Sequence, residues 1–378
     1  MDVLIFLAGV VIVAVVLFDV FETIVVPRPS PGRRITRYIV RLSWRFWRWF
    51  GERTKSAGLG RDGFYGLYAP GAAILGLIVW LVLLIVGYGL MLFAIRGDLD
   101  PAPTNLGSAM YYAGTSVLTL GYGDIVAAGP LARGVSLVAA ASGLGLVALV
   151  ITFLFSLFAS FQRRERLVVT LQARAKAPPS AVTLLEVYAR IDMVDKLPEL
   201  FAEWEQWEAE VLDSHVAYPL LGYFRSSHDN VSWLSALGAV LDAAALVLTT
   251  IQGVPRGQAE LTKRGGAHLV EDIGNILGLE GDGAVVDRDQ FDEAYARLER
   301  AGYELEDRDK AWRNFERSRR TYAGRLDALA AYWATPSTAW IGSKTPAGSV
   351  VHRTEPAVEP APAQAGAVAL RERVANDH

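Results

Sequence analysis

The sequence predicts an all-α membrane protein, with three transmembrane helices followed by an all-α region outside the bilayer. Three observations carry this expectation. Residues 3–18, 63–95 and 134–162 are runs without a charge, and about 20 predominantly apolar residues cross a bilayer. Beyond residue 180 apolar side chains recur three and four apart, as in Leu184, Leu185, Tyr188 and Ile191, which is a helical period. Hydrophobic residues make up 52% of the 378, with a mean hydropathy of +0.26, high for a soluble chain of this length.

Charge divides the chain. Residues 1–162 hold 12 Lys and Arg against 8 Asp and Glu, whereas residues 163–378 hold 25 against 32. There is no cysteine, which excludes disulfides, thiolate metal sites and thiol redox chemistry.

The first expected domain, residues 1–26, is one transmembrane helix. Its apolar run continues through Val20, Phe21 and Val26 until Pro27 stops it. A signal peptide fits poorly, because the amino end carries Asp2 rather than a cation and no small-residue cleavage site follows. Asp19 and Glu22 lie three residues apart on one face near its inner end. Ionisable groups in a membrane helix are costly and usually have partners. Both are candidates for a membrane ion pair with Arg33, Arg34 or Arg37.

Residues 27–67 hold ten cations (Arg28, Arg33, Arg34, Arg37, Arg41, Arg45, Arg48, Arg53, Lys55 and Arg61) against Glu52 and Asp62. Such an excess marks the cytoplasmic side. Arg34, Arg37, Arg41, Arg45 and Arg48 share one helical face, and Ile35, Ile39, Leu42, Phe46 and Trp49 line another. That pattern predicts an interfacial helix with its arginines on anionic lipid headgroups. A voltage-sensing helix would need arginine at every third position and partner helices, which this sequence lacks.

A second spanning helix is expected over 70–95. Asp98, Asp100, Pro101 and Pro103 then turn the chain, Thr104 can cap the next helix, and residues 105–118 form a helix too short to span. Thr119-Leu120-Gly121-Tyr122-Gly123-Asp124 follows. A ring of backbone carbonyls that replaces an ion's hydration shell needs residues that alternate between ordinary and left-handed backbone. Gly121 and Gly123 supply left-handed positions without a Cβ clash. Tyr122 between them can pack outward, and the Thr119 hydroxyl can add an oxygen at the inner mouth.

Over residues 109–124, and more loosely over 68–162, the chain resembles the pore domain of the tetrameric potassium channel family. The resemblance implies a re-entrant pore helix, a filter with K⁺ bound at Thr119, Leu120, Gly121 and Tyr122 and completed by Gly123, and support from Asp124 and Leu118. It also implies a homotetramer, no cofactor beyond the permeant ion, and an inner helix over 134–162 in which Gly143 or Gly145 can serve as a gating hinge. Close helix approach is the other use for those two glycines. The sequence departs from the family at Leu118, where a second Thr is usual, and at Leu120, where Val is usual. Leu120 keeps its carbonyl, whereas Leu118 removes a hydroxyl from behind the filter. An outward-facing filter entrance places the amino terminus outside and the region after the pore in the cytoplasm of a multi-pass membrane protein.

Arg163, Arg164 and Arg166 are expected to close the inner helix, and Pro178-Pro179 breaks any continuation. Residues 163–335 read as a helical cytoplasmic domain with helices over 181–192, 197–213, 229–251, 257–279, 287–302 and 307–333. Residues 336–378 read as a disordered tail. No nucleotide-binding glycine motif follows residue 163. Asp282 opens a poor match to a calcium loop, with Ala284 at a ligand position. His215, His228 and His268 lack metal-ligand spacing, and Phe201, Trp204 and Trp207 read as core. No nucleophile–base set stands out, so the expected function is passive K⁺ conduction without enzyme chemistry, with a cytoplasmic ligand or protein partner unidentified. The alternatives are a weakly selective cation channel of the same fold, and a membrane-anchored sensor or interaction protein with a poorly conducting pore.

Overall fold

The chain is described by a computed structural model over residues 1–26, 35–53, 61–226, 231–281, 286–335 and 340–341. Helix α1 spans Asp2–Ile24, α2 Ile35–Arg53, α3 Arg61–Gly66, α4 Tyr68–Ala94, α5 Leu106–Val117 and α6 Pro130–Ala175. Strands β1 (Leu99–Asp100) and β2 (Val126–Ala127) pair antiparallel across the α5 connection. Helices α7 (Ala181–Arg190), α8 (Leu197–Ala217), α9 (Trp233–Thr249), α10 (Gly257–Leu277), α11 (Arg288–Arg300), α12 (Arg308–Arg319) and α13 (Ala323–Tyr332) complete it. Among the described residues three helical segments, over α1, α4 and α6, are long and apolar enough to cross a membrane. The chain is an all-α membrane protein with a helical carboxyl-terminal part.

Among the described residues two apolar cores form. The first joins α1, α4, α5 and the leading half of α6 through Val16, Leu84, Tyr88, Leu92, Val117 and Leu146. Without a hydrophobic drive between helices in lipid, small residues that let backbones approach take over. A Cβ on Gly9 would stand 2.5 Å from the Gly87 carbonyl oxygen, and one on Gly87 would stand 2.8 Å from a Val13 methyl. The second core gathers α2, the base of α4, the end of α6 and α7–α13. Helix α9 lies at its centre, apolar almost all round and capped by Ser232, which exchanges hydrogen bonds with Ser235.

The structure departs from several sequence expectations. Helix α6 does not end at Arg163 but continues to Ala175. Leu167, Val168 and Leu171 keep its apolar period and pack into the second core. The helix expected over 307–333 is two, broken at 320–322, where Tyr322 turns its hydroxyl onto Asp242 at 2.6 Å. Asn105, not Thr104, caps α5 by accepting from the Ser108 amide at 2.9 Å.

Helix α2 keeps Tyr38, Leu42, Phe46 and Trp49 exposed on one side. On the other, Trp44 is buried edge-on against Tyr68 and Tyr223, and its indole donates to the Tyr332 carbonyl at 3.2 Å. The anchoring role of Trp44 was not visible in the arginine pattern. Arg28, Arg33, Arg34, Arg37, Lys55 and Arg61 lie outside the residues whose side chains are described, as do Ile35, His228 and the Asp282 to Ala284 loop. Of the stretch 336–378, the described residues Trp340 and Ile341 are buried, with the Trp340 carbonyl accepting from Ser180 Oγ at 3.0 Å.

Candidate ion pore

Helix α5 ends at Val117, and the next four amides turn back onto its last turn. Leu118 N donates to Gly114 O at 2.9 Å, Thr119 N to Ser116 O at 3.0 Å, and Leu120 N and Gly121 N both to Thr115 O at 2.7 and 3.4 Å. With these four donors spent on the helix, the stretch has oxygens left over. Among the described residues no donor reaches the carbonyls of Thr119, Leu120, Gly121, Tyr122 or Gly123. The backbone is left-handed at Thr119 (φ 56°), Gly121 (φ 57°) and Gly123 (φ 83°), at every second residue. The glycines adopt this freely. Thr119 does so against its β-branch, where the paired bonds to Thr115 O just beyond it hold the turn.

Neighbouring elements fix both ends of this stretch. Below it, the Thr115 hydroxyl donates to Tyr112 O at 2.9 Å, and the Tyr112 hydroxyl meets Ser136 of α6 at 3.0 Å. Tyr88 of α4 meets Ser142 of α6 at 2.7 Å. Above it, Asp124 lies beside the Tyr111 hydroxyl. Strand β2 follows, after which Ala128 N and Gly129 N donate to Asp98 O at 2.8 and 2.9 Å. In the single chain Leu118, Leu120 (50%) and Tyr122 (67%) are all exposed.

The two inner-helix glycines sit in different surroundings. A Cβ on Gly143 would overlap the Val117 carbonyl oxygen at the end of α5, whereas one on Gly145 meets nothing within 4 Å. The Gly143 contact seats α6 directly beneath the start of the 119–124 stretch. Gly143→Ala is therefore expected to force α5 and α6 apart, at a cost of roughly 1–3 kcal/mol for overpacking. Thermal unfolding in detergent checks this, with Gly145→Ala as the control that leaves the midpoint near wild type. Equal midpoints for the two variants would refute the close-approach account.

Asp19 is buried in α1 and accepts from the Trp80 indole of α4 at 2.8 Å; Glu22, one turn on, is half-buried. The arginines expected to pair with them lie outside the described side chains. Among the histidines, His215 is buried, and burial followed by the nearby Arg164 charge holds its pKa down to about 3. It is therefore neutral, with Nδ1 donating to Val211 O at 2.8 Å and Nε2 facing Arg164 Nη1 at 3.3 Å. His268 is exposed beside Asp272. Phe201, Trp204 and Trp207 are core, the two indoles 4.6 Å apart. Among the described residues no cluster of His, Asp and Glu could hold a metal.

The residue that sequence reasoning missed is Arg164. It does not flank a membrane helix in water but is 1% exposed inside the helical part. Its guanidinium donates to the Leu221 and Phe224 carbonyls at 2.9 and 3.0 Å and to Glu165 Oε1 at 3.0 Å. Glu165 Oε2 in turn accepts from Ser226 at 2.6 Å, and the Trp207 indole donates to the Arg164 carbonyl at 2.9 Å. The adjacent opposite charge at Glu165, followed by apolar Leu167 and Val168, was the available signal.

A family model described as ion channel (Ion_trans_2) matches residues 78–160. That segment begins inside α4, takes in α5 and the 119–124 stretch, and ends in α6. The match supports an ion-channel function and a membrane location, and suggests a transport protein rather than an enzyme. No curated protein and no solved structure matches the chain.

Proposed function

We propose that this chain is a potassium-selective channel, conducting passively through a homotetrameric pore. The observation that carries the reading is the run from Thr119 to Gly123. Its backbone is left-handed at every second residue, and its carbonyls have no described donor. Unsatisfied carbonyls at membrane depth must line protein or water rather than lipid. Copies of one chain around an axis meet that demand, and four give the ring the resemblance implies. K⁺ then binds at the carbonyls of Thr119, Leu120, Gly121 and Tyr122, with Gly123 completing the stretch and Asp124 and Leu118 behind it. Potassium is the permeant ion and no other cofactor is needed.

The organisation follows from this reading. Residues 1–26 form the first transmembrane helix, with the amino terminus outside. Residues 27–67 lie at the cytoplasmic face, where exposed Tyr38, Leu42, Phe46 and Trp49 beside Arg41 and Arg45 suit anionic lipid. Residues 68–162 form the pore, and Gly145, with space around it, is better placed than Gly143 for a gating bend. Residues 163–335 regulate from the cytoplasm, held to the pore-lining helix through Arg164.

The test is reconstitution of the purified protein into bilayers with unequal K⁺ and Na⁺. The current is expected to reverse near the K⁺ equilibrium potential. Reversal near zero would mean a weakly selective cation pore, the outcome the missing hydroxyl at Leu118 would favour. No current from tetrameric protein would point instead to a membrane-anchored sensor.

A further inference from the structure

Helix α8 carries a carboxyl group that the pore does not use. Glu208 is 2% exposed, and among the described residues neither of its carboxyl oxygens makes a hydrogen bond of ordinary geometry, with only the Gly266 amide alongside. It faces the two adjacent glycines of α10. A Cβ on Gly265 would stand 2.6 Å from Oε2, and one on Gly266 2.7 Å from Oε1. The glycines thus make room for the carboxyl, and among the described residues no cluster of three acidic or histidine side chains stands there to hold a metal. The small particle that satisfies a buried carboxylate in such a seam is a proton.

No cation faces it among the described residues. On α8 itself the near charge is Glu205, of the same sign and hydrogen-bonded to Gln258 of α10. On α10, Lys263 and Arg264 are turned to Glu260 at 3.0 and 2.7 Å. On α9, Asp242 is bound by Arg319 and Tyr322. On α6, Arg164 is committed to Glu165. One residue from Glu208, Trp207 holds the Arg164 carbonyl of the pore-lining helix.

We infer that Glu208 is a proton-binding switch: its proton keeps α8 seated on α10, and loss of the proton unseats the two helices and alters their hold on α6. Burial, then the Glu205 charge, pushes the Glu208 pKa from 4.5 up to about 9. Between those values the folded chain binds the proton and the unfolded chain does not. Stability is therefore full below about pH 4.5, falls as pH rises through the window by up to about tenfold in the folding equilibrium per pH unit, and levels off once the folded protein itself deprotonates near 9.

The switch is independent of the channel reading, whereas its effect on current rests on that reading. The experiment follows hydrogen exchange in α8 and α10 of the full-length reconstituted protein from pH 6 to 10, corrected for intrinsic rates, alongside K⁺ flux. Wild type is expected to lose protection in both helices progressively from pH 6 up to about 9 and no further above it, and Glu208→Gln, neutral and of equal shape, to stay protected. Glu208→Met serves as a second neutral variant should Gln not fold. Parallel loss of protection in wild type and variant would overturn the switch. A difference in exchange with identical pH profiles of flux would overturn the coupling to α6 alone, and absence of flux from every form would count against the channel reading while exchange still decides the switch.

Discussion

Gly121→Ala is expected to reduce K⁺ flux to that of empty liposomes while leaving membrane insertion and assembly intact. Gly121 has φ of 57°, and a Cβ there meets no atom within 4 Å in the chain. The penalty is therefore conformational: a left-handed L-residue costs roughly 1–2 kcal/mol. Neighbouring helices would not feel so small a cost. On the proposed reading of the 119–124 stretch as a filter, relaxing it rotates the adjacent peptide, and a rotated peptide would present an N–H to the ion where a carbonyl stood. Paired measurements of flux and of oligomer size in detergent test this. K⁺-selective flux at the wild-type level would remove the Thr119 to Tyr122 carbonyls from the conduction path.

Arg164→Ala should give the largest loss of stability in the helical part. The guanidinium satisfies two carbonyls, Glu165 and the His215 ring inside a closed core. Removing one partner of a buried pair leaves the other charge uncompensated, at roughly 3–5 kcal/mol. Arg166→Ala, two residues on and exposed, should shift stability by less than about 0.5 kcal/mol. Denaturant midpoints of the two variants decide between a clamp and a merely topological charge, because similar losses would rule out the clamp. Ion selectivity should be unchanged in both, since Arg164 lies far along α6 from the 119–124 stretch.

The contrast between these two residues explains what was legible in the sequence. Gly121 and Gly123 could be assigned left-handed backbone from one line of text, because only glycine takes that conformation freely. Thr119 could not, because its φ is imposed by two amides converging on Thr115 O, a contact between a turn and the helix before it. The three spans were readable because composition alone decides whether a helix tolerates lipid. Arg164 looked like a charge at a membrane boundary, and its burial depends on acceptors 51 to 60 residues away. The split at 320–322 was hidden for the same reason, since the break is fixed by Asp242, 80 residues before Tyr322. Gly143 and Gly145 are chemically identical in the sequence, and only the position of Val117 separates their surroundings. Local backbone chemistry was visible, while pairing across the chain was not.

The unbroken run of α6 has a mechanical consequence. Its 46 residues make a rod about 69 Å long at 1.5 Å per residue, of which a bilayer's hydrocarbon core takes about 30 Å. Counted from Gly143, the 32 residues that follow in α6 make a lever arm of about 48 Å, whose far end is embedded in α7 and α8. Swung by about 5° around Gly143, that arm carries its far end through about 4 Å, over half the pitch of a helical turn. A displacement too small to disturb the packing around Gly143 is thus enlarged where it meets the helical part. Leverage works in both directions: whatever stiffens the far end must bias the position of the near one, and the near end returns the same bias in free energy.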